Sequence, residues 1–367
     1  MKGFLIYIKS VIDFIILIIF KLLNPIRTNT IENNLLFINT GQIGDLVVSS
    51  TLLENDKLFN HYNKVYFLID EKFKELFSDY SGIIELLFVN LDLYKYNYIY
   101  RFNFNKKLYK QNIEIVYNLT SVRPTWNDTL SLGIGAKKKY CYPNRWKTHK
   151  KAFAKYTNNL YSNFIASNLF NEYERIDYLI EKFNNHYENS SFRKNRIFKS
   201  IKDINEHSIT IAPFSSDGNR DIGIKKINKI ILSFPNFLIQ IICSEKQLQK
   251  LDRLSKQDNV RIIAGTKKLN ELFSVLNNSK IFIGIDSGLT HIALKTKTKV
   301  IALIGQGNYG RYLPKPNDNK TIYLFDRCEY VGCEWYCVKE KVFCIENITA
   351  KKIIYEIENA LKNHENP

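Results

Sequence analysis

Proline and glycine are scarce, at 8 and 15 in 367 residues. That excludes collagen-like repeats and a Pro/Gly-rich disordered chain; with 45% hydrophobic residues, it leaves a globular protein. Methionine occurs once, whereas Tyr and Phe number 23 and 24, a usage that bears on composition more than on mechanism. Acidic residues are in the minority: 53 Lys and Arg face 36 Asp and Glu, a formal net charge of +17. A basic surface suits nucleic acid, an anionic membrane or a phosphorylated substrate. No zinc-finger, aromatic RNA-binding or helix-turn-helix signature stands out, so nucleic acid is the weakest of the three. Paired C-x2-C knuckles are missing too: Cys328, Cys333, Cys337 and Cys344 are spaced C-x4-C-x3-C-x6-C. Four neighbouring thiols are compatible with structural zinc, and equally with free or redox-active thiols. No cleavable signal is visible, so a reducing cytosol is expected rather than a disulfide framework.

An uninterrupted apolar span is lacking as well. Residues 3–23 come nearest, but Lys9, Asp13 and Lys21 interrupt them. A spanning helix needs about 20 mostly apolar residues, so the segment is borderline. It reads first as an interfacial anchor helix (residues 1–26), with a core helix packed on the first domain as the competing reading. Asn24-Pro25 ends it, and residues 27–34 form a polar linker.

What the chain does have is an alternation of short apolar runs and amphipathic segments, over a length that suits two domains. The sharpest stretch is 280–305. Residues 281–285 and 300–304 are buried-strand runs, and Asp286-Ser287-Gly288 breaks the first before the helical spacing of 289–294. A strand–turn–helix–strand unit builds parallel sheet, which places the turn at the carboxyl edge where open α/β sheets bind ligands. Backbone N–H groups at such a turn attract anions. Ser287 and Thr290 add hydroxyls, and His291 adds a possible cation. Asp286 alone would read as a helix cap; the cluster favours a phosphate or sugar site.

A second Gly-rich turn, Thr40-Gly41-Gln42-Ile43-Gly44-Asp45, follows the strand at 35–39. Further strands are expected at 65–69, 84–89 and 113–119, with an amphipathic helix at 71–80 and a basic, Tyr-rich connection at 94–111. Residues 120–126 follow a strand end, with Arg123 a candidate lining residue. The basic segment 144–151, with Trp146 and His149, reads as a solvated face or as a contact for acceptor phosphates. Residues 152–183 look helical, and the polar stretch 184–207 marks a domain boundary. Beyond it come a strand at 208–213, a polar loop containing Ser215, Ser216 and Arg220, and a strand at 237–243 followed by Glu245. Strands at 260–263 and helices at 224–234, 269–277 and 349–361 complete the pattern. The loop 306–316 offers Arg311.

Asp286-Ser287-Gly288-Leu289-Thr290-His291-Ile292-Ala293, followed by 299–305, resembles the Asp-Thr/Ser-Gly-x-x-His-x-Ala motif of glycosyltransferase family 9, the ADP-heptose:lipopolysaccharide heptosyltransferases. The resemblance implies an α/β protein of GT-B architecture, two Rossmann-like domains facing each other across a cleft. It assigns residues 34–200 to an acceptor domain, 207–348 to a nucleotide-sugar donor domain, and 349–367 to a last helix that returns to the first domain. It implies an inverting, metal-independent transfer with no cofactor, from ADP-heptose to lipopolysaccharide or a lipid-linked glycan. The apolar segment 3–23 and the net basic charge, rather than the resemblance, suggest attachment to the inner face of the cytoplasmic membrane, with that anionic surface as partner and no nucleic acid. On the family pattern Asp45 of Gly44-Asp45 is the catalytic base, with Gly41, Gly44 and Arg123 as turn or acceptor residues; Thr51 stands about where the family has Pro. Ser215, Ser216 and Arg220 match the loop that holds the donor diphosphate, and Lys225 competes with Arg220. Glu245 matches an acid on the nucleoside sugar, though it fits a helix first turn equally well. Asp286, Ser287, Gly288 and His291 complete the donor set. A GT-B nucleotide-sugar epimerase and a non-catalytic glycan-assembly subunit are the alternatives.

Overall fold

The computed structural model describes residues 2–26, 33–78, 80–143, 156–185, 205–216, 218–254, 257–265, 269–313, 320–333, 337 and 342–362. The expectations for 144–151, with Trp146 and His149, and for most of the linker, of 184–207 and of the far end of the 306–316 loop fall outside these residues. The chain divides into two compact units, Met1–Phe170 with Glu174–Ile197, and Asn171–Tyr173 with Phe198–Pro367.

In the first unit the order is α1 (Lys2–Leu23), β1 (Asn34–Ile38), α2 (Ile43–Ser49), α3 (Thr51–Glu54), β2 (Lys64–Asp70), β3 (Glu85–Val89), α4 (Leu91–Tyr96), α5 (Tyr98–Tyr109), β4 (Ile113–Asn118), α6 (Thr125–Leu132), β5 (Lys138–Cys141) and β6 (Asn163–Phe164). Helix α7 (Glu172–Asn185) follows. The second unit runs β7 (Asn205–Ala212), α8 (Ile224–Ser233), β8 (Leu238–Cys243), β9 (Val260–Ala264), α9 (Leu269–Asn277), β10 (Ser279–Ile285), α10 (Gly288–Leu294), β11 (Lys299–Leu303), β12 (Thr321–Leu324), α11 (Phe343–Glu346) and α12 (Ala350–Lys362).

The two sheets share one topology. The first is ordered β3-β2-β1-β4-β5-β6 and the second β9-β8-β7-β10-β11-β12, and the pairings are parallel. Each therefore reverses direction once, between β1 and β4 and between β7 and β10. This is the doubly wound order, in which crossover helices cover both faces. Strands buried on both faces are chiefly apolar, and β1 (NLLFI) and β11 (KVIAL), apolar after their first residue, are buried at every position. Leu36 and Ile38 face a cluster with Tyr94, Phe104, Leu108 and Leu130 of α4, α5 and α6. Phe37 points the other way, into edge-to-face contacts with Phe59 and Phe183. In the second unit Ile227, Ile230 and Ile231 of α8 pack with Ile353, Ile357 and Ala360 of α12 on the sheet.

Several elements depart from the sequence expectation. The 94–111 connection is two helices; α5 buries Arg101 and Asn105 beside Phe104 and Leu108, and these polar residues mask its apolar period. Residues 71–77 form a 3₁₀ helix, and the 152–183 stretch includes the short edge strand β6. The last helix packs its apolar stripe into the second unit's core, against α8 and β11. Helix α1 packs on α6 through buried Leu17 and Phe20. No helix among the described residues is long and apolar enough to cross a membrane.

Candidate functional site

Both Gly-containing turns lie at the carboxyl ends of the strands that flank a sheet reversal. Loops diverge there, one above and one below the sheet, and leave a crevice. At the first reversal, β1 leads into the turn ending in Asp45, and β4 leads into Leu119–Arg123. Asp45 is the third residue of α2 and closes a capping box with Gln42; its carboxylate accepts the Gln42 N–H at 2.8 Å. It is only half-buried. Gly41 is required by close approach, since a Cβ there would collide with that carboxylate. The turn is pinned from beneath: Thr40 N–H donates to Thr120 Oγ1 at 3.1 Å, and Asn127 Nδ2 donates to Thr40 Oγ1 at 2.8 Å.

Arg123 does not line this crevice. It is 1% exposed, with Nη1 2.6 Å from Asp128 Oδ1, Nη2 bonded to Asn158, and its guanidinium over the Tyr161 ring. Burial alone would lower its pKa; Asp128 and Tyr161 outweigh that and raise it. Burial pushes the Asp128 carboxyl up, against the pull of Arg123. The sequence placed Arg123 after a strand end but carried no sign that a carboxylate one helical turn on would draw it inward.

At the second reversal, β7 leads into the Ser215–Arg220 loop and β10 into Asp286–His291. The structure joins them: Arg220 Nη1 donates to the Asp286 carbonyl oxygen at 2.8 Å. Ser215 is buried, and its N–H and hydroxyl both donate to Asp221 Oδ1, at 2.7 and 3.1 Å. Its side chain therefore shapes the loop, whereas Ser216 is exposed. Gln247 Nε2 reaches the Ser215 carbonyl at 3.0 Å and ties in the turn after β8, where Glu245 is exposed beside Gly265. Lys225, on the first turn of α8, is exposed, and no described contact brings it to this cluster.

Ser287 and Gly288 are half-buried, but Asp286 and His291 are only 7% and 2% exposed. Thr290 bonds back to the Ile285 carbonyl, and a Cβ at Gly284 would press on Thr290 Oγ1. Burial drives His291 down to about 4, so the imidazole is neutral at physiological pH and is not the cation the sequence suggested. Tyr173 OH bonds its Nδ1 at 2.9 Å, and its Nε2 lies 3.9 Å from Asp286 Oδ1. Burial raises Asp286 to about 6, with Arg220 opposing. Arg311 is buried and paired with Glu172 at 3.3 Å, so it too is structural. Tyr173, Asp221 and Gln247 were not foreseen; Tyr173 lies 118 positions from His291, and nothing local signals the pairing.

Asp286 carries a pH prediction. The folded state keeps its proton from the unfolded value near 3.8 up to about 6, so this group's contribution to stability is lost as pH rises through that window. Two pKa units correspond to roughly 3 kcal/mol. Asp286→Asn should therefore be neutral in stability near pH 4 and more stable than the parent above pH 6. Melting temperatures of both proteins across that range check this; a variant that is less stable at pH 7 would overturn it.

The four clustered cysteines stay near one another. Cys328, Cys333, Cys337 and Cys344 line a pocket of about 270 Å³, and Cys344 Sγ accepts the Gln306 N–H at 3.4 Å. All are free thiols, and among the described residues no group of three or more His, Cys, Asp or Glu side chains could hold a metal ion.

Comparison with known proteins follows the same lines. The profile of the family described as "Glycosyltransferase family 9 (heptosyltransferase)" matches residues 101–340. A family 9 glycosyltransferase structure from Veillonella parvula superposes with a TM-score of 0.69 at 13% identity, over 92% of this chain and 100% of that one. The E. coli heptosyltransferase WaaC with ADP-2-deoxy-2-fluoro heptose gives 0.61 at 15% identity, over 89% and 99%. E. coli ADP-heptose lipopolysaccharide heptosyltransferase II gives 0.63 at 15%, over 90% and 99%. The curated proteins contain no significant sequence match to this chain.

Proposed function

The chain belongs to glycosyltransferase family 9, and from that premise we propose an inverting transferase that moves a sugar, heptose first among candidates, from a nucleotide-diphosphate donor to a lipopolysaccharide or other cell-surface glycan. The observation that carries the donor side is the convergence of Arg220 with the Asp286–His291 turn at the β7/β10 reversal. A guanidinium beside the first turn of a helix suits a diphosphate leaving group. WaaC is solved with ADP and with an ADP-heptose analogue, which supports ADP-heptose as the first donor to try.

In the proposed reaction Asp45 takes the proton of the acceptor hydroxyl as its oxygen attacks the anomeric carbon. The bond from that carbon to the diphosphate breaks with inversion, and the nucleoside diphosphate leaves with the electron pair, its charge held by Arg220. His291, neutral and bonded to Tyr173, acts as a hydrogen-bonding group rather than a countercharge. Glu245 is proposed to face the nucleoside sugar. The reaction needs no metal in this scheme. A lipid-borne acceptor places the enzyme on the inner face of the cytoplasmic membrane, attached through α1.

Thermal shift with a panel of nucleotide sugars in EDTA tests the donor assignment, because a tight ligand raises the melting temperature by mass action. ADP-heptose is expected to give the largest shift. Arg220→Ala should weaken it by roughly 10- to 100-fold, the worth of a charge-assisted hydrogen bond. Unchanged affinity in Arg220→Ala would move the donor away from the β7/β10 reversal.

A further inference from the structure

Helix α1 presents two opposite sides to different surroundings. One stripe, Ser10, Asp13, Leu17, Phe20 and Asn24, is buried. Its 3-4-3-4 spacing is one helical face, the one that meets α6. Polar bonds fix it there: Asp13 accepts from Arg101 Nη1 at 2.6 Å and from Thr125 Oγ1 at 3.0 Å, and Asn24 Nδ2 donates to the Gly133 carbonyl at 2.8 Å. Helix α1 is thus docked on the first unit rather than held as a loose tether. The other side carries Ile8, Ile15, Ile18, Leu22 and Leu23, all exposed, Leu22 at 76%. A docked helix that leaves so apolar a face exposed needs an apolar medium against it.

The exposed face does not stop at α1. Ile99, at 75% exposure, and Phe102 project outward from α5, and Tyr96 from α4. The seam between the helices is closed by aromatic contacts: Phe20 and Phe102 lie 6.1 Å apart, and Lys9 Nζ sits 3.9 Å above the Tyr96 ring. The exposed charges of α1 and α5 have one sign. Lys21, Lys106, Lys107 and Lys110 are exposed, Asp13 is the sole acid of α1, and α5 has none. The exposed acid of α4, Asp92, is paired with Lys95 at 3.6 Å.

We propose that α1 and the α4–α5 pair form one preassembled surface that seats the protein on an anionic bilayer, with α1 lying in the membrane plane. It rests on the membrane attachment proposed above and is independent of the sugar chemistry. Apolar side chains would enter the acyl boundary, tyrosines would sit at the headgroup level, and lysines would meet lipid phosphates. A second protein surface would have to match both the apolar strip and its lysine border; an anionic bilayer supplies both without a specific shape.

The test uses the full chain and co-sedimentation with vesicles of phosphatidylglycerol and phosphatidylcholine, or of phosphatidylcholine alone. The parent should bind the anionic vesicles and lose binding with added salt. Ile99→Gln/Phe102→Gln on α5 and Ile15→Gln/Leu22→Gln on α1 should each lower the bound-to-free ratio by about tenfold or more, since each removes two membrane-entering side chains. Ile15, Leu22 and Ile99 are solvent-exposed, so melting temperature should hold for the α1 pair and fall only slightly where Phe102 leaves Phe20; if a pair unfolds, Ile99→Gln and Leu22→Gln alone replace it. Normal binding by the α5 variant with loss in the α1 variant would leave α1 as the sole anchor and overturn the composite surface, while attachment survives. A parent that ignores vesicles would overturn attachment itself. A dimer in solution that both variants dissolve would identify a second copy as the occupant and overturn the bilayer.

Discussion

Asp45→Asn is expected to lower kcat by roughly 10²–10⁴-fold, the usual worth of general-base assistance, with little change in melting temperature. Asn keeps the shape and can still accept the Gln42 N–H, so the capping interaction at 2.8 Å survives in kind while proton acceptance is lost. The competing role is visible in the structure: Asp45 closes a capping box, and a helix-capping carboxylate needs no catalytic purpose. That role predicts the opposite pattern for Asp45→Ala, a loss of about 1 kcal/mol of stability with normal turnover in the folded fraction. Measuring kcat and melting temperature on both variants separates the two. A fully active Asp45→Asn protein would remove Asp45 from the mechanism. The family profile begins at residue 101, so the case for Asp45 rests on its turn and on the position of that turn at the β1/β4 reversal.

Arg123→Met should cost about 3–5 kcal/mol, the penalty of stranding one member of a buried ion pair. Asp128 is 1% exposed and would keep Tyr161, 2.8 Å away, but lose its cation. Its folded-state pKa, already raised, would rise further. The proton is then held more tightly folded than unfolded, so the defect should deepen as pH increases above the ordinary carboxylate range and shrink in acid. Arg123→Met/Asp128→Leu should recover much of the loss, because two apolar groups of similar shape leave no buried charge unpaired. Urea unfolding of the three proteins at two pH values reads this out. A stable Arg123→Met protein with weakened acceptor use would return Arg123 to the crevice, where the sequence had placed it.

The turn after β10 was legible because its signal is local. An apolar run, Asp-Ser-Gly and a helical repeat occupy adjacent positions, and the parallel-sheet rule alone sends that turn to the carboxyl edge. The Asp45 turn was readable on the same grounds. Helix α5 was missed because its buried stripe includes Arg101 and Asn105, whose partners, Asp13 and Thr129, come from elsewhere in the chain. Arg123 and Arg311 were misjudged for a related reason. Their types and loop positions suit phosphate binding, but each is claimed by a carboxylate, Asp128 or Glu172, that folding brings alongside.

The sequence by itself determined the alternation of strands and helices, the two-unit organisation and the turn chemistry, since each depends on residues within one or two turns of one another. Tertiary structure decided the charge states and the faces. His291 is neutral because its ring is buried, Tyr173 reaches it across 118 positions, and Ser215 turns inward to Asp221. Only packing could show which side of α1 is docked and which exposed, because apolar residues occur on both. Burial and long-range pairing set these properties, and neither is written in a local repeat.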